Sequence, residues 1–304
     1  MRYIIAFIIS ILAGFFGFKA FWFFYPKPMV SVVMATYNRA DLLPRAIESV
    51  LNQTFEDFEF IIVVDGSTDD SVEVIQSYAQ KDKRIRMLEN DKNRGLIYSL
   101  NRGLDAARGK YIARMDDDDI SLPDRFYYQV GFMEKNPRVT VISSWVSAPG
   151  SMIPYSFQQE VDPDKIKILP YLNTVAISHP ASFIRRDFIE QHHIRYREDY
   201  KYIEDRAFWR DIIDAGGMIS NLPKVLLHYR LHFKNPKEYY TGQYYNVISY
   251  HREMMERLIG KEAYARLPDC EKYVKLAQAN KEKKLLHQQK LEQLIKLKCP
   301  DVKF

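Results

Sequence analysis

Four consecutive aspartates, Asp116 to Asp119, follow directly on the apolar run Tyr111-Ile-Ala-Arg-Met115. Carboxylates this close repel one another. A shared divalent cation relieves the repulsion, and oxygen ligands of this kind suit Mg²⁺ or Mn²⁺, ions that also hold substrate diphosphates. A solvated acidic turn is the plain alternative. Three further polar segments lie upstream, each behind an apolar run: Ala35-Thr-Tyr-Asn-Arg39, Val64-Asp-Gly-Ser-Thr-Asp-Asp70 and Asn93-Arg-Gly95. Each alone serves as a turn or a helix cap. At the carboxyl ends of successive parallel strands, however, such groups converge on one crevice. The chain contains no GxGxxG and no GxxxxGK[ST] segment. The usual backbone phosphate cradles are therefore missing, and a bound diphosphate needs a metal and basic side chains instead.

Alternating elements must position these segments. Val30–Thr36, Phe58–Val64, Ile85–Leu88 and Tyr111–Met115 read as strands. Leu42–Leu51, Val72–Ala79 and Leu96–Ala107 read as helices, the second capped by Ser67, Thr68 or Asp69 and the third followed by Gly109. The pattern predicts an α/β fold with a mostly parallel sheet flanked by helices. The first two strands are nearly continuous apolar runs, as strands covered on both faces should be. Beyond the aspartates, Asp124–Glu134 reads as a helix and Val139–Val146 as a strand, and a helix follows Glu204. Residues 147–178 give no clear assignment.

That last helix is of chemical interest. Glu204 and Asp205 open it, with Phe208, Trp209, Ile212 and Ile213 at helical spacing to dock one face. Acids also favour helix N-termini for electrostatic reasons alone. Glu198-Asp199 is a competing acidic pair nearby. His228 and His232 stand four apart, a spacing that on a helix permits a shared zinc ion. No third ligand accompanies them.

The chain has 304 residues, with 47% hydrophobic and 14% aromatic content. This supports a sizeable core and excludes disorder. A net charge of +5, spread along the sequence, gives no footprint for nucleic acid. Two cysteines, Cys270 and Cys299, form no framework or metal spacing and are expected to be free thiols. From Tyr3 to Tyr25 the only charge is Lys19, and the run closes on Phe21-Trp-Phe-Phe-Tyr25. A helix of about 22 residues rises about 33 Å, enough to span a bilayer. Its length and bulky aromatic end favour a retained anchor over a cleaved signal peptide. The positive-inside rule, with Lys27, Arg39 and Arg45 beyond the span, puts the following domain in the cytosol. A lumenal, Golgi-type orientation is the alternative. The expected layout is an anchor and linker over 1–28, a catalytic domain over 29–235 and a helical extension over 236–304. The basic end of that extension, Lys281 to Lys298, reads as a solvated helix or a membrane-surface contact.

The ordered set Val32-Val-Met-Ala-Thr-Tyr-Asn38, Ser49-Val-Leu-Asn-Gln-Thr54, Val64-Asp-Gly-Ser-Thr-Asp69, Asn93-Arg-Gly95 and Ala113-Arg-Met-Asp-Asp-Asp-Asp-Ile-Ser121 resembles inverting glycosyltransferases of the GT-A fold, family 2 type, over about residues 29–232. The resemblance implies transfer of a sugar from a nucleotide-sugar, UDP-linked by default, to a glycan or lipid-linked hydroxyl acceptor, with Mn²⁺ or Mg²⁺. It implies that Thr36 and Tyr37 line the nucleotide pocket, Asp65 meets the uracil and Arg94 lies near the base or diphosphate. The family's Asp-x-Asp motif falls on Asp116, facing the ribose, and Asp118, on the metal. Asp117 fills the variable middle position, which leaves open which carboxylates take the metal, and Asp119 is expected to cap the next segment. On the acceptor side, Ser178-His-Pro-Ala-Ser-Phe183, with His179, resembles the acceptor loop. Glu204 and Asp205 match the Glu-Asp motif, Asp205 in the catalytic-base position, and His232 matches a histidine that reaches the metal or diphosphate. A sugar nucleotidyltransferase or an inactive, membrane-tethered binding module are the alternatives. The first needs a Gly-rich loop after the first strand, which Thr36-Tyr-Asn-Arg39 is not.

Overall fold

The computed structural model describes residues 27–149, 156–166 and 177–230. The expected anchor span, His232 and the 236–304 extension lie outside them. Among the described residues no helix is long and apolar enough to cross a membrane.

Strand β1 (Val30–Thr36) is followed by α1 (Leu43–Leu51), β2 (Phe58–Val64), α2 (Ser71–Lys81), β3 (Ile85–Glu89), α3 (Leu96–Ala106) and β4 (Tyr111–Met115). The alternation expected from the sequence is present. β2 and β4 are buried throughout and β1 nearly so, because helices cover both faces of the sheet. Side-chain alternation divides the core in two. Val30, Val32 and Met34 pack with Leu43, Ala46 and Ile47 of α1 on one face. Val33 packs with Ile97, Leu100 and Leu104 of α3 on the other.

The chain continues through β5 (Ile120–Ser121), α4 (Arg125–Lys135), β6 (Val139–Ser147), β7 (Ser156–Phe157), α5 (Pro163–Ile166), β8 (Phe183–Arg185), α6 (Arg186–Gln191), α7 (Glu204–Asp214) and β9 (Met218–His228). The sheet order is β3-β2-β1-β4-β8-β6-β9-β5, with β7 beside β6. The expectation of a mostly parallel sheet needs correction. β1–β2, β2–β3, β1–β4 and β6–β9 pair parallel, whereas β4–β8, β6–β8, β5–β9 and β6–β7 pair antiparallel. Parallel neighbours need a crossover between them, and strict strand–helix alternation stops at Met115. β8 joins the two halves through three residue pairs to β4 and two to β6.

β9 went unread in the sequence. Pro223 interrupts it, and the register to β6 jumps from Ser144↔Leu222 to Trp145↔Val225. The bulge takes up Pro223, which has no N–H to give a ladder. His228 is therefore at a strand end and not on a helix, and its Nδ1 lies 2.7 Å from Ser147 Oγ. The zinc spacing considered for His228 and His232 loses its helical basis.

Candidate active site

The chain leaves β1 toward β2 on one side and returns to β4 on the other. This reversal between β1 and β4 opens a crevice at their carboxyl ends, where open α/β sheets take ligands. The register pairs Met34 with Met115, so the aspartates emerge beside Ala35 and Thr36. A cavity of about 360 Å³ lies there, lined among others by Thr36, Tyr37, Arg39, Asp65, Asp116, Asp117, Asp118 and Tyr229.

Loop-to-loop hydrogen bonds hold its rim. Asn38 N–H donates to Ser67 Oγ at 3.1 Å, and Thr68 N–H to Asn38 Oδ1 at 2.8 Å. Asp69 accepts from Ala40 N–H at 3.0 Å and Ser71 N–H at 3.1 Å. Asp69 thus ties the β1 turn to the first residue of α2, whereas the N-cap position, expected at Ser67, Thr68 or Asp69, falls on Asp70 without a side-chain cap bond. Gly66, at φ +64, must be glycine, since a Cβ there would stand 2.3 Å from the Lys92 carbonyl carbon. That approach brings the Asn93-Arg94-Gly95 turn over the end of β2.

Asp65 is 4% exposed and its carboxylate holds this turn. Oδ1 accepts from Arg94 N–H at 2.9 Å and Asn90 Nδ2 at 2.6 Å, and Oδ2 from Gly95 N–H at 2.8 Å. Asp65 therefore lines the pocket while anchoring the start of α3. The Arg94 guanidinium pairs with Asp91 at 2.8 Å and lies over Tyr98. It does not line the cavity; Arg39, which sequence reasoning passed over, does.

Asp116, Asp118 and Asp119 each offer a carboxylate oxygen within 4.8 Å of the others. Asp119 does not cap the following segment. Its Oδ1 accepts from Arg230 N–H at 2.8 Å, while Oδ2 is buried without a hydrogen-bond partner among the described residues. β9 makes this contact, because its antiparallel pairing of His228 with Ile120 carries Arg230 past Asp119. Burial, with the charge of Asp116, pushes the Asp119 carboxyl well up. Burial and the charges of Asp116 and Asp118 raise Asp117 to about 6. Three clustered carboxylates, one with an idle buried oxygen, fit a hard dication such as Mn²⁺ or Mg²⁺.

The residues expected on the acceptor side, His179, Glu204 and Asp205, all feel the charge of Arg114. This arginine is 4% exposed and pairs through Nη2 with Asp116 Oδ1. His179 Nε2 and the Tyr196 hydroxyl are hydrogen-bonded at 2.7 Å, and Trp209 of α7 stands edge-on to the His179 ring. Burial, aided by Arg114, keeps His179 neutral, its pKa well below the ordinary range. Glu204 and Asp205 are half-buried at the first turn of α7. Burial, with the charge of Asp205, lifts Glu204 to about 7. Burial also lifts Asp205, against the pull of Arg206 and Arg114. The Tyr196 hydroxyl, raised mainly by burial, feels Arg114, Asp205, Glu204 and Asp116 together. Asp116, Glu204 and Asp205 thus belong to one electrostatic cluster, although His179, Glu204 and Asp205 do not line the cavity.

Residues 31–193 match the family model for glycosyl transferase family 2. The chain belongs to this family. An uncharacterized glycosyltransferase of Methanocaldococcus jannaschii is 37% identical over 214 residues, covering 67% of this chain and 71% of the relative. TarS 1–349 of S. aureus, solved with UDP-GlcNAc, superposes at TM-score 0.60 with 20% identity, over 82% of this chain and 70% of TarS 1–349. The chain spans 42% of the longer TarS structure. The mannosyltransferase PcManGT from Pyrobaculum calidifontis, solved with GDP-Man and Mn²⁺, superposes at TM-score 0.57 with 16% identity, over 78% of this chain and 68% of that one. The fold of this glycosyltransferase is GT-A-like, an α/β sheet flanked by helices.

Proposed function

We propose that this family 2 glycosyltransferase transfers a hexosyl or N-acetylhexosaminyl group from a UDP-sugar to a hydroxyl acceptor, with inversion and with a divalent ion. The observation that carries this reading is the shared surroundings of two acidic groups. Asp116 and Asp118 line the β1–β4 crevice, and Glu204–Asp205 face the same buried arginine from α7. Neighbouring structures hold UDP-GlcNAc in one case and GDP-Man with Mn²⁺ in another, which supports a nucleotide-sugar donor.

Thr36, Tyr37 and Asp65 frame the nucleotide, with Arg39 as the basic side chain at the pocket wall. Asp118, with Asp116 and Asp119, would hold the ion. When bound, the ion screens negative charge on the departing diphosphate. The acceptor oxygen forms a bond to the anomeric carbon as that carbon's bond to the diphosphate oxygen breaks. The bonding electron pair leaves with the diphosphate, and the acceptor proton passes to the Asp205 carboxylate. General-base assistance of this kind contributes typically 10²–10⁴-fold. A carboxylate on the face opposite the leaving group gives inversion without a covalent enzyme intermediate. His232, beyond the described residues, is assigned to the metal or diphosphate by resemblance alone.

The apolar run over residues 3–25 supports a single-pass anchor with the catalytic domain in the cytosol, and with it a lipid-linked or surface-glycan acceptor. The test is a panel of UDP-, GDP- and dTDP-sugars with Mn²⁺, scored for nucleotide release with wild type and Asp205→Asn. The expected result is release from UDP-sugars, with nucleotide binding kept and transfer lost in the variant. An Asp205→Asn enzyme that transfers at the wild-type rate removes Asp205 from the base role. Absence of any metal-dependent turnover favours the inactive binding module.

A further inference from the structure

Arg114 is on the face of β4 that packs against α3 and α7. Its neighbour two residues back, Ile112, belongs to the cluster of Ile97, Leu100, Tyr196, Phe208 and Trp209. A guanidinium in such a layer costs several kcal/mol unless it is paired and hydrogen-bonded. Here only Nη2 is engaged, on Asp116. Nε and Nη1 are buried with no hydrogen-bond partner among the described residues. An unbranched apolar side chain would fill the space without leaving donors idle. Packing therefore does not explain an arginine at this position.

Charge does. The acids on both sides of Arg114 come from different elements. Asp116 follows β4, and Glu204 and Asp205 open α7. The other polar groups facing this cluster include Tyr196, His179 and Arg206, and on the donor side Asp119, Arg125 and Tyr229. Apart from Arg206, which belongs to α7 itself, Arg114 is the cation acting on the α7 pair.

The geometry points to Arg114 as a positioning residue that links the two halves of the site: it fixes the Asp116 carboxylate on the donor side, and its charge balances the Glu204–Asp205 pair on the acceptor side. This rests on the reading of Asp205 as base and Asp116 as donor-side ligand.

The test uses the full chain as wild type, Arg114→Met, Arg114→Lys, Glu204→Gln and the Arg114→Met/Glu204→Gln pair. UDP affinity with Mn²⁺, single-turnover transfer at saturating donor and melting temperature are measured. Arg114→Met is expected to weaken UDP binding and to slow single-turnover transfer, each by about tenfold or more. Arg114→Lys restores the charge but not the fork, so transfer returns to within about threefold of wild type while UDP binding stays weak. The pair variant melts higher than Arg114→Met alone, since the uncompensated Glu204 charge has gone. Arg114→Met with unchanged UDP affinity or unchanged transfer overturns the proposal, as does Arg114→Lys without recovery of transfer. If Arg114→Met does not fold, the pair variant decides: folding supports the link, and failure to fold overturns it. Loss of the base role is read separately in Asp205→Asn. A wild type that ignores UDP refutes the donor reading, and the melting arm still decides on Arg114.

Discussion

Asp119 presents one oxygen to Arg230 N–H and buries the other without a hydrogen-bond partner among the described residues. Burial beside Asp116 and Asp118 disfavours ionisation of this carboxylate in spite of Arg114, and its carboxyl is accordingly raised. An ion shared with Asp116 and Asp118 reverses that preference. Asparagine keeps the Oδ1 acceptor but removes the charge. Asp119→Asn is therefore expected to leave the metal-free protein at least as stable as wild type near neutral pH, and to lose most of the rise in melting temperature that Mn²⁺ gives wild type. A full Mn²⁺ shift in Asp119→Asn moves the ligand elsewhere. The aspartate run was legible as a cluster of carboxylates because its charge density is visible in one dimension. Which carboxylates face inward was not, because that depends on β9 arriving from more than a hundred residues away. Arg114 was hidden for a related reason. Inside Tyr111-Ile-Ala-Arg-Met115 it reads as a lone interruption of a strand; its pairing with Asp116 is local, and only the fold brings Glu204 and Asp205 of α7 within reach of its charge. The one available signal was a charge at an inward-facing position of a run otherwise wholly apolar.

At the scale of elements, the first four strands and three helices could be read because their apolar residues recur at the periods of buried strands and amphipathic helices. β5 and β8 are two and three residues long, too short to carry a period. β9 is long, but Pro223 argues against a strand until the bulge is seen. The turn after β2 shows how strictly an element can depend on one residue. Gly66→Ala puts a Cβ into the Lys92 backbone and forces a left-handed alanine. The strain alone costs about 1–2 kcal/mol, and the clash moves the Asn93–Gly95 turn that Asp65 holds. We expect a stability loss of about 2–4 kcal/mol in urea unfolding, together with weakened nucleotide binding. A variant within about 0.5 kcal/mol of wild type would show that the turn relocates without harm.

For the whole molecule, pH acts through the acids of α7. The Glu204 carboxyl is lifted from an ordinary value near 4.5 to about 7. The folded state thus holds this proton more tightly than the unfolded chain. The resulting stability is complete below about pH 4.5 and is lost as pH rises through 7. Wild type is expected to lose melting temperature over that interval by more than Glu204→Gln does. Equal slopes in the two proteins would place the titration elsewhere. Catalysis runs the other way. The base must be ionised to accept a proton, and burial lifts Asp205 above its ordinary value. Transfer should therefore climb with pH on an acidic limb shifted up from that of an ordinary aspartate, measured as kcat at saturating donor. A limb at the ordinary aspartate value would contradict this.

β8 is the narrowest strip in the sheet's interior, with three rungs on one flank and two on the other. Thr36, Tyr37, Asp65 and Asp116 stand at strand ends of one flank, whereas Tyr229 reaches the same cavity from the end of β9 on the other. Seams of three and two rungs resist shear far less than the seven-rung seam between β1 and β2. Relative motion of the two flanks would therefore concentrate along this line, and hydrogen exchange should find the β8 amides opening sooner than those of β1.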